Sequence, residues 1–401
     1  MTVLLMTSPL TALAQDEVVD IASARDQSPA TRAFAMFDRA VASATVPGIS
    51  AAIADKDGII WAEGFGWADL ENSVPMSTQT KMRVGSVAKP LTAAALMRLY
   101  DKGKVDLDID IKTYVPAWPD QHDSLTLRQL TSHTAGVRHY ENDEFQLNKH
   151  YETVVSSLDI FKDDPLRFIP GSDFNYSTYA WTLISAAIEG ADGKRDFKAI
   201  MEQEVFEPLN MKDSALDDQY EIIPNRQRPY SVDEGKLVNS PQTDHSYKWA
   251  GGGFIASSSD IARFAVAHVS GNFLKKSTVD QMFTSAKTTS GKVVDYGIGW
   301  HIGFDLYKER FKDDAEAIRI MNEHPDSVMH SGGSMGGTTM MILCRDHGRA
   351  VTVVKNVDGD SSANQVLLAL RTLDIFFNAE DFPSGGRQPD TGAGDSLKSH
   401  D

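Results

Sequence analysis

The sequence predicts an α/β (α+β) fold: a mixed, mainly antiparallel sheet flanked by helices, with an all-helical domain inserted into it. Three observations carry this. Strand-like segments lie at both ends of the chain and helical ones in the middle. Two apolar pairs at opposite ends, "GISAAIADKDGIIWAEGFGWADLE" and "TTMMILCRDHGRAVTVVKN", each read as a hairpin around a turn cluster. The 401 residues, 41% hydrophobic, suffice for a large core.

Taken in order, residues 15–28 are polar and loose. Apolar spacing predicts a helix over residues 28–42, with Ser28 as N-cap and Pro29 in the first helical position. The first hairpin turns at Asp55-Lys56-Asp57-Gly58. A helix from Ser86 to Lys102 is apolar on every side, which marks a buried central helix, and Gly103 caps it. Pro90 fits only if Ser86 lies at the very start of that helix. Helical pieces "SLTLRQLTSH" and "YAWTLISAAIEG" occupy the middle. Strands return in "YGIGWHIGF", "SVMHSGG", "TTMMILC" and "AVTVVKN", followed by an amphipathic helix, "SANQVLLALRTLDIFF". The expected domains are 28–95 with 246–378 for the α/β part and 96–245 for the helical part. Residues 383–401, rich in Gly, Pro and Ser, read as a disordered tail.

The net charge of −17 and the lack of a basic face exclude nucleic acid as the expected partner. No segment approaches the ~20 apolar residues of a membrane span. An apolar run ending in Ala12-Leu13-Ala14 reads as the remnant of a signal peptide over residues 1–14, which implies a periplasmic or secreted protein. The lone cysteine, Cys344, reads as a buried small hydrophobe. His133, His139 and His150 have no metal-ligand spacing, and no phosphate-binding G-x-x-x-x-G-K-[ST] occurs. No metal and no cofactor are expected. Nothing in the sequence fixes the oligomeric state.

Two serines compete as nucleophile. Ser334 sits in a G-x-S-x-G stretch, "GGSMG", the form of a hydrolase elbow. That elbow needs a helix straight after the serine and an acid then a histidine downstream. Here "GGTTMMILC" follows, and only His347 and His400 lie beyond. Ser334 therefore reads as a bystander on a strand edge. Ser86 opens the buried helix, where backbone N–H groups are unpaired and the dipole favours negative charge. Lys89 lies one turn on, on the same face. In an apolar site its amine loses charge readily and can act as a base.

S-x-x-K at Ser86–Lys89, then Tyr176-Ser177-Thr178 and then His330-Ser331-Gly332 follow the order S-x-x-K, Y-x-N, K-T-G. In that order they resemble the serine β-lactamase and penicillin-binding-protein superfamily, in its class C β-lactamase-like branch. The flanks "DLDIDIKTYVPAWP", "LRQLTSHTAGVRHYE" and "YSTYAWTLISAAIE" resemble the mitochondrial serine β-lactamase-like proteins and their bacterial relatives. The likeness spans roughly residues 30–378. It implies Ser86 as nucleophile, Lys89 assisting its deprotonation, and Tyr176 as proton relay or base, made acidic by the Lys89 ammonium. It implies an oxyanion hole from the N–H groups of Ser86 and Gly333. Thr178 replaces the usual Asn, and His330 the usual Lys, so recognition of a substrate carboxylate and β-lactam hydrolysis should both be weak. His139 and Tyr140 are candidates for lining the pocket. The implied function is a serine hydrolase acting through an acyl-enzyme on small ester, amide or peptide substrates, of the esterase or D-amino-acid peptidase type. The rival reading is a catalytically weak binding or scaffold protein on the same fold.

Overall fold

A computed structural model describes residues 28–42, 45–360 and 362–377. The expected leader (1–14) and tail (383–401) lie outside the described residues. Helix α1 (Pro29–Val41) starts as expected, with Ser28 Oγ accepting from Thr31 N–H at 3.2 Å and Pro29 in the first position. The first hairpin pairs β1 (Gly48–Asp55) with β2 (Gly58–Asp69), and Asp55 Oδ1 takes the Asp57 N–H at the turn.

These strands join β3 (Val74–Pro75), β4 (His301–Ile302), β5 (Ser327–Ser334), β6 (Gly337–Cys344) and β7 (Arg349–Lys355) in one seven-stranded sheet of order β4-β5-β6-β7-β1-β2-β3. Every neighbouring pair is antiparallel. The β1–β7 pairing, Ile49 opposite Lys355 through Ala54 opposite Ala350, stitches the two ends of the chain together. Strand periodicity then sorts the core. Ile49, Ala51 and Ile53 pack with α1, α5 (Ala315–Glu323) and α6 (Gln365–Phe377) on one face. Ala52 and Ala54 pack on the other with α2 (Ala88–Asp101), α3 (Thr178–Asp192) and α4 (Ser258–Ala267). The segment between the sheet's two halves is mostly helices and turns. It also carries short strands at Ser214–Leu216, Tyr230–Asp233 and Lys236–Asn239.

One predicted strand shrinks. Within "YGIGWHIGF" only His301–Ile302 is extended in the sheet, because Gly297 N–H closes a tight loop on Trp300 O at 2.8 Å. The elbow reading of Ser334 also fails in space. β5 runs into a turn at Met335-Gly336 and returns as β6, so a strand and not a helix follows Ser334.

His268 closes α4 inside a cage of Phe264, Phe273, Phe283 and Trp300 rings. Its Nδ1–H donates to Phe264 O at 3.1 Å, and burial pulls its pKa down to about 4. The unfolded chain therefore binds the proton first, and stability falls as pH drops from about 6.5 towards 4. Between pH 7 and pH 5 this costs about 2 kcal/mol, as 1.5 units at about 1.4 kcal/mol each. Urea unfolding at both pH values should show His268→Gln losing about 2 kcal/mol less than wild type on acidification.

Candidate active site

The site is assembled where the start of α2, the start of α3 and the end of β5 meet. A 3-10 turn, Gly85–Val87, leads into α2, so Ser86 does open the helix, and Pro90 falls in its first turn at no hydrogen-bond cost. Two contacts press β5 onto this turn. Gly85 has φ +52°, and a Cβ there would lie 2.6 Å from Gly333 N. A Cβ on Gly332 would lie 1.9 Å from Val84 O and 3.0 Å from Ser86 N. Strand parity then aims the backbone. Ser327 O accepts from Gly303 N–H on the β4 side. The β5–β6 register is unbroken from Ser327 to Ser334, so Gly333, six residues on, turns its N–H to that same edge, beside Ser86.

Lys89 is fully buried, and its Nζ sits among three oxygens: Ser86 Oγ at 3.0 Å, Thr178 Oγ1 at 3.2 Å and Gly251 O at 2.6 Å. Gly251 O can only accept, so one N–H is committed there. Burial, and next the charge of Lys248, hold Lys89 well below its usual pKa and favour the neutral amine. The lone pair of that amine is then free for the Ser86 hydroxyl proton. Lys89 Nζ also lies 4.8 Å from the Tyr176 ring centroid. Burial pushes the Tyr176 phenol up, against a side-chain hydrogen bond with Ser86. This differs from the expected acidic Tyr176: a buried lysine that sheds its charge cannot make its neighbour acidic.

Loop residues fix the tyrosine and threonine. His133 stacks on Tyr176 at 4.3 Å and its Nδ1 accepts the Ser177 N–H at 3.0 Å. His139 Nδ1 accepts the Thr178 N–H at 3.2 Å. Ser177 caps α3, accepting from Ala180 N–H. Thr178, expected to face substrate, does line the cavity described below, but its hydroxyl accepts from Lys89 and bonds the Tyr140 phenol, which leaves it little to offer.

A cavity of about 340 Å³ opens over Ser86, lined also by His139, Tyr140, Thr178, Lys248, Gly333 and Ser334. His330, expected among the substrate-binding groups, is not part of this lining. It is buried behind β5, where Nδ1–H donates to Ser331 O at 2.6 Å and Nε2 accepts from the Tyr296 hydroxyl at 2.9 Å. Burial keeps it neutral, well below the usual histidine range. Ser331 is spent on a side-chain hydrogen bond to Tyr307. Gly332 supplies clearance rather than a ligand. The cavity's cation is Lys248, which the sequence reading missed. Lys248 is 2% exposed, its Nζ donates to Phe145 O at 3.1 Å, and burial lowers its pKa to about 7. Gly251, whose carbonyl holds Lys89, was also missed. The only sequence signal for either was the glycine run in "KWAGGGF".

A buried lysine thus meets the hydroxyl of a helix-opening serine, under a glycine strand edge. The family model described as Beta-lactamase matches residues 34–373. The chain belongs to the Beta-lactamase family. It is a β-lactamase-fold serine hydrolase. It is 29% identical to the serine beta-lactamase-like protein LACTB, mitochondrial, of Homo sapiens, over 79% of this chain and 74% of that one. It is 25% identical to penicillin-binding protein 4* of Bacillus subtilis (strain 168), over 82% and 72%. Its fold matches the D-amino acid amidase from Ochrobactrum anthropi SV3, complexed with L-phenylalanine amide, at TM-score 0.70 and 21% identity, over 88% of this chain and 99% of that one. No helix among the described residues is long and apolar enough to cross a membrane.

The close approach of β5 to the Ser86 turn is open to test. In Gly332→Ala the new methyl must push the strand from Val84 O. Hydrolysis of a short activated ester should fall roughly tenfold or more, while the far-ultraviolet circular dichroism stays native.

Proposed function

We propose that the protein hydrolyses short ester or peptide-type amide bonds through an acyl-enzyme on Ser86. The observation that carries this reading is the 3.0 Å contact of fully buried Lys89, through Nζ, with Ser86 Oγ at the floor of the cavity. Ser86 Oγ attacks the substrate carbonyl and its proton passes to the Lys89 amine. The oxyanion is met by the N–H groups of Ser86 and Gly333. The carbonyl–leaving-group bond breaks, and the leaving group takes a proton relayed through the Tyr176 phenol. Water then adds to the acyl carbonyl, Ser86 leaves with a proton, and the acid is released. Thr178, His133 and His139 act as positioning residues for Lys89 and Tyr176.

His330 is buried and neutral, so Lys248 is the group that a substrate carboxylate would meet in the cavity. Ser334 Oγ is buried without a hydrogen-bond partner among the described residues, and a polar substrate atom would satisfy it. The small, part-polar cavity and the missing cation at position 330 favour esters and amides over β-lactams. The family likeness and the amidase-like fold support the same substrate class. The scaffold reading would be favoured by a Ser86 out of reach of its base, and the Lys89 contact speaks against it. Export belongs to this reading on the Ala12-Leu13-Ala14 run alone.

The test is hydrolysis of a short p-nitrophenyl ester by wild type, Ser86→Ala and Ser334→Ala, with a chromogenic cephalosporin alongside. Ser86→Ala should fall to background, a loss on the order of a thousandfold or more, with Ser334→Ala keeping most turnover. The cephalosporin should be cleaved far more slowly than the ester. Substantial activity left in Ser86→Ala would overturn the reading.

A further inference from the structure

At the far end of β6 from Gly337, a second cluster of chemically competent side chains converges. Seven residues of strand separate it from the active-site end, roughly 20–25 Å, so it shares no residue with that site. Cys344 ends β6 with its thiol buried. His324 follows α5 and is 1% exposed, and His347 stands exposed in the turn between β6 and β7. Cys344 Sγ lies 3.4 Å from His324 Nδ1 and 3.1 Å from His347 Nδ1. The three donor atoms all fall within 4.8 Å of one another.

We propose that Cys344, His324 and His347 form a binding site for a late first-row divalent cation, Zn²⁺ in the first place. Ligand lengths of about 2.3 Å to sulfur and 2.0–2.1 Å to nitrogen place a tetrahedral S···N pair about 3.5 Å apart. Both measured S···N separations are within a few tenths of an ångström of that. One thiolate and two imidazoles suit Zn²⁺ and exclude the hard oxygen-seeking cations. The donors are held in place from three directions. His324 carbonyl O accepts from Ser327 Oγ at 2.9 Å, Cys344 is locked in the ladder opposite Ser327 and Arg349, and the turn holds His347. The Phe377 ring packs edge-on against both imidazoles, at 4.5 Å and 3.9 Å, and limits how they can swing. The exposure of His347 leaves a path for the ion and a fourth position for water. Binding forms one Zn–S and two Zn–N bonds, and the Cys344 thiol proton leaves to solvent. The ion would clamp the end of α5 to the β6–β7 turn, a structural role apart from hydrolysis.

The experiment uses untagged full-length protein titrated with Co²⁺ and then Zn²⁺. Wild type should bind one Co²⁺ per chain with a sulfur-to-cobalt charge-transfer band and intense visible bands of tetrahedral form. Zn²⁺ should bleach these bands and raise the melting temperature. Cys344→Ser should lose the charge-transfer band and the Zn²⁺-induced shift. His347→Ala, at an exposed position, should weaken binding at least tenfold with its metal-free melting temperature unchanged. It therefore carries the test if a variant at buried His324 or Cys344 fails to fold. Ester hydrolysis should be unchanged in both. No charge-transfer band in folded wild type, or a band that persists in His347→Ala at wild-type affinity, overturns the proposal.

Discussion

The Lys89 amine is the constraint on which the site depends. A buried ammonium without a carboxylate is costly, so the protein surrounds Nζ with three neutral oxygens from three separate parts of the chain. One comes from its own helix, one from the start of α3 and one from the turn Trp249–Gly252. Moving any of these segments would leave a polar nitrogen unpaired in the core. The amine therefore acts as a template for the junction, besides the proposed role as a base. It explains why α2 can be apolar all round and still begin in a polar site.

The second constraint is the distance between a helix start and a strand. Backbone N–H groups of Ser86 and Gly333 can face one substrate oxygen only if β5 touches the Ser86 turn. A side chain at Gly85 would collide with the Gly333 backbone, and one at Gly332 with Val84 O, and either would prevent that. The sheet supplies the rigidity. β5 is held on one side by β6 along its whole length, and β6 is tied through β7 to β1. The contact between the ends of the chain thus fixes the strand that fixes the oxyanion-binding edge.

Much of this was legible in the sequence, because the signals were local. The Ser28 cap, the Asp55–Gly58 turn, the apolar α2 and the Ser177-capped α3 each follow from residues within one or two turns. Ser86, Lys89 and Tyr176 were singled out because motif order is preserved along the chain, and the structure brings their side chains together. What was not legible depends on long-range packing. Lys248 and Gly251 reach the site from residues about 160 positions beyond Ser86, with no motif of their own. The sequence could not say that His330 points away from the cavity, since strand parity becomes meaningful only once the register is fixed. The pairing of Cys344 with His324 escaped for the same reason: twenty residues separate them, and the β5–β6 hairpin closes that gap.

The basic groups around Ser86 explain how a buried lysine could work as a base and then recover. Lys89, Lys248, His133, His139, His301 and His330 crowd one region, and each is pushed towards neutrality, by burial first. The charge of Lys248 lowers Lys89 further, and that of Lys89 lowers His133, His139, His301 and His330. In the resting site this keeps the Lys89 lone pair available. On the proposed mechanism a tetrahedral intermediate would bring a full negative charge beside the Ser86 and Gly333 N–H groups, near Lys89. That charge would raise the lysine's proton affinity at the moment Ser86 gives up its proton, and the burial of Lys89 would make the coupling strong. When that intermediate collapsed the charge would disappear, and the same burial that kept the amine unprotonated at the start would drive the proton onward to the leaving group. The low resting charge of the site is therefore what makes its response to the oxyanion large.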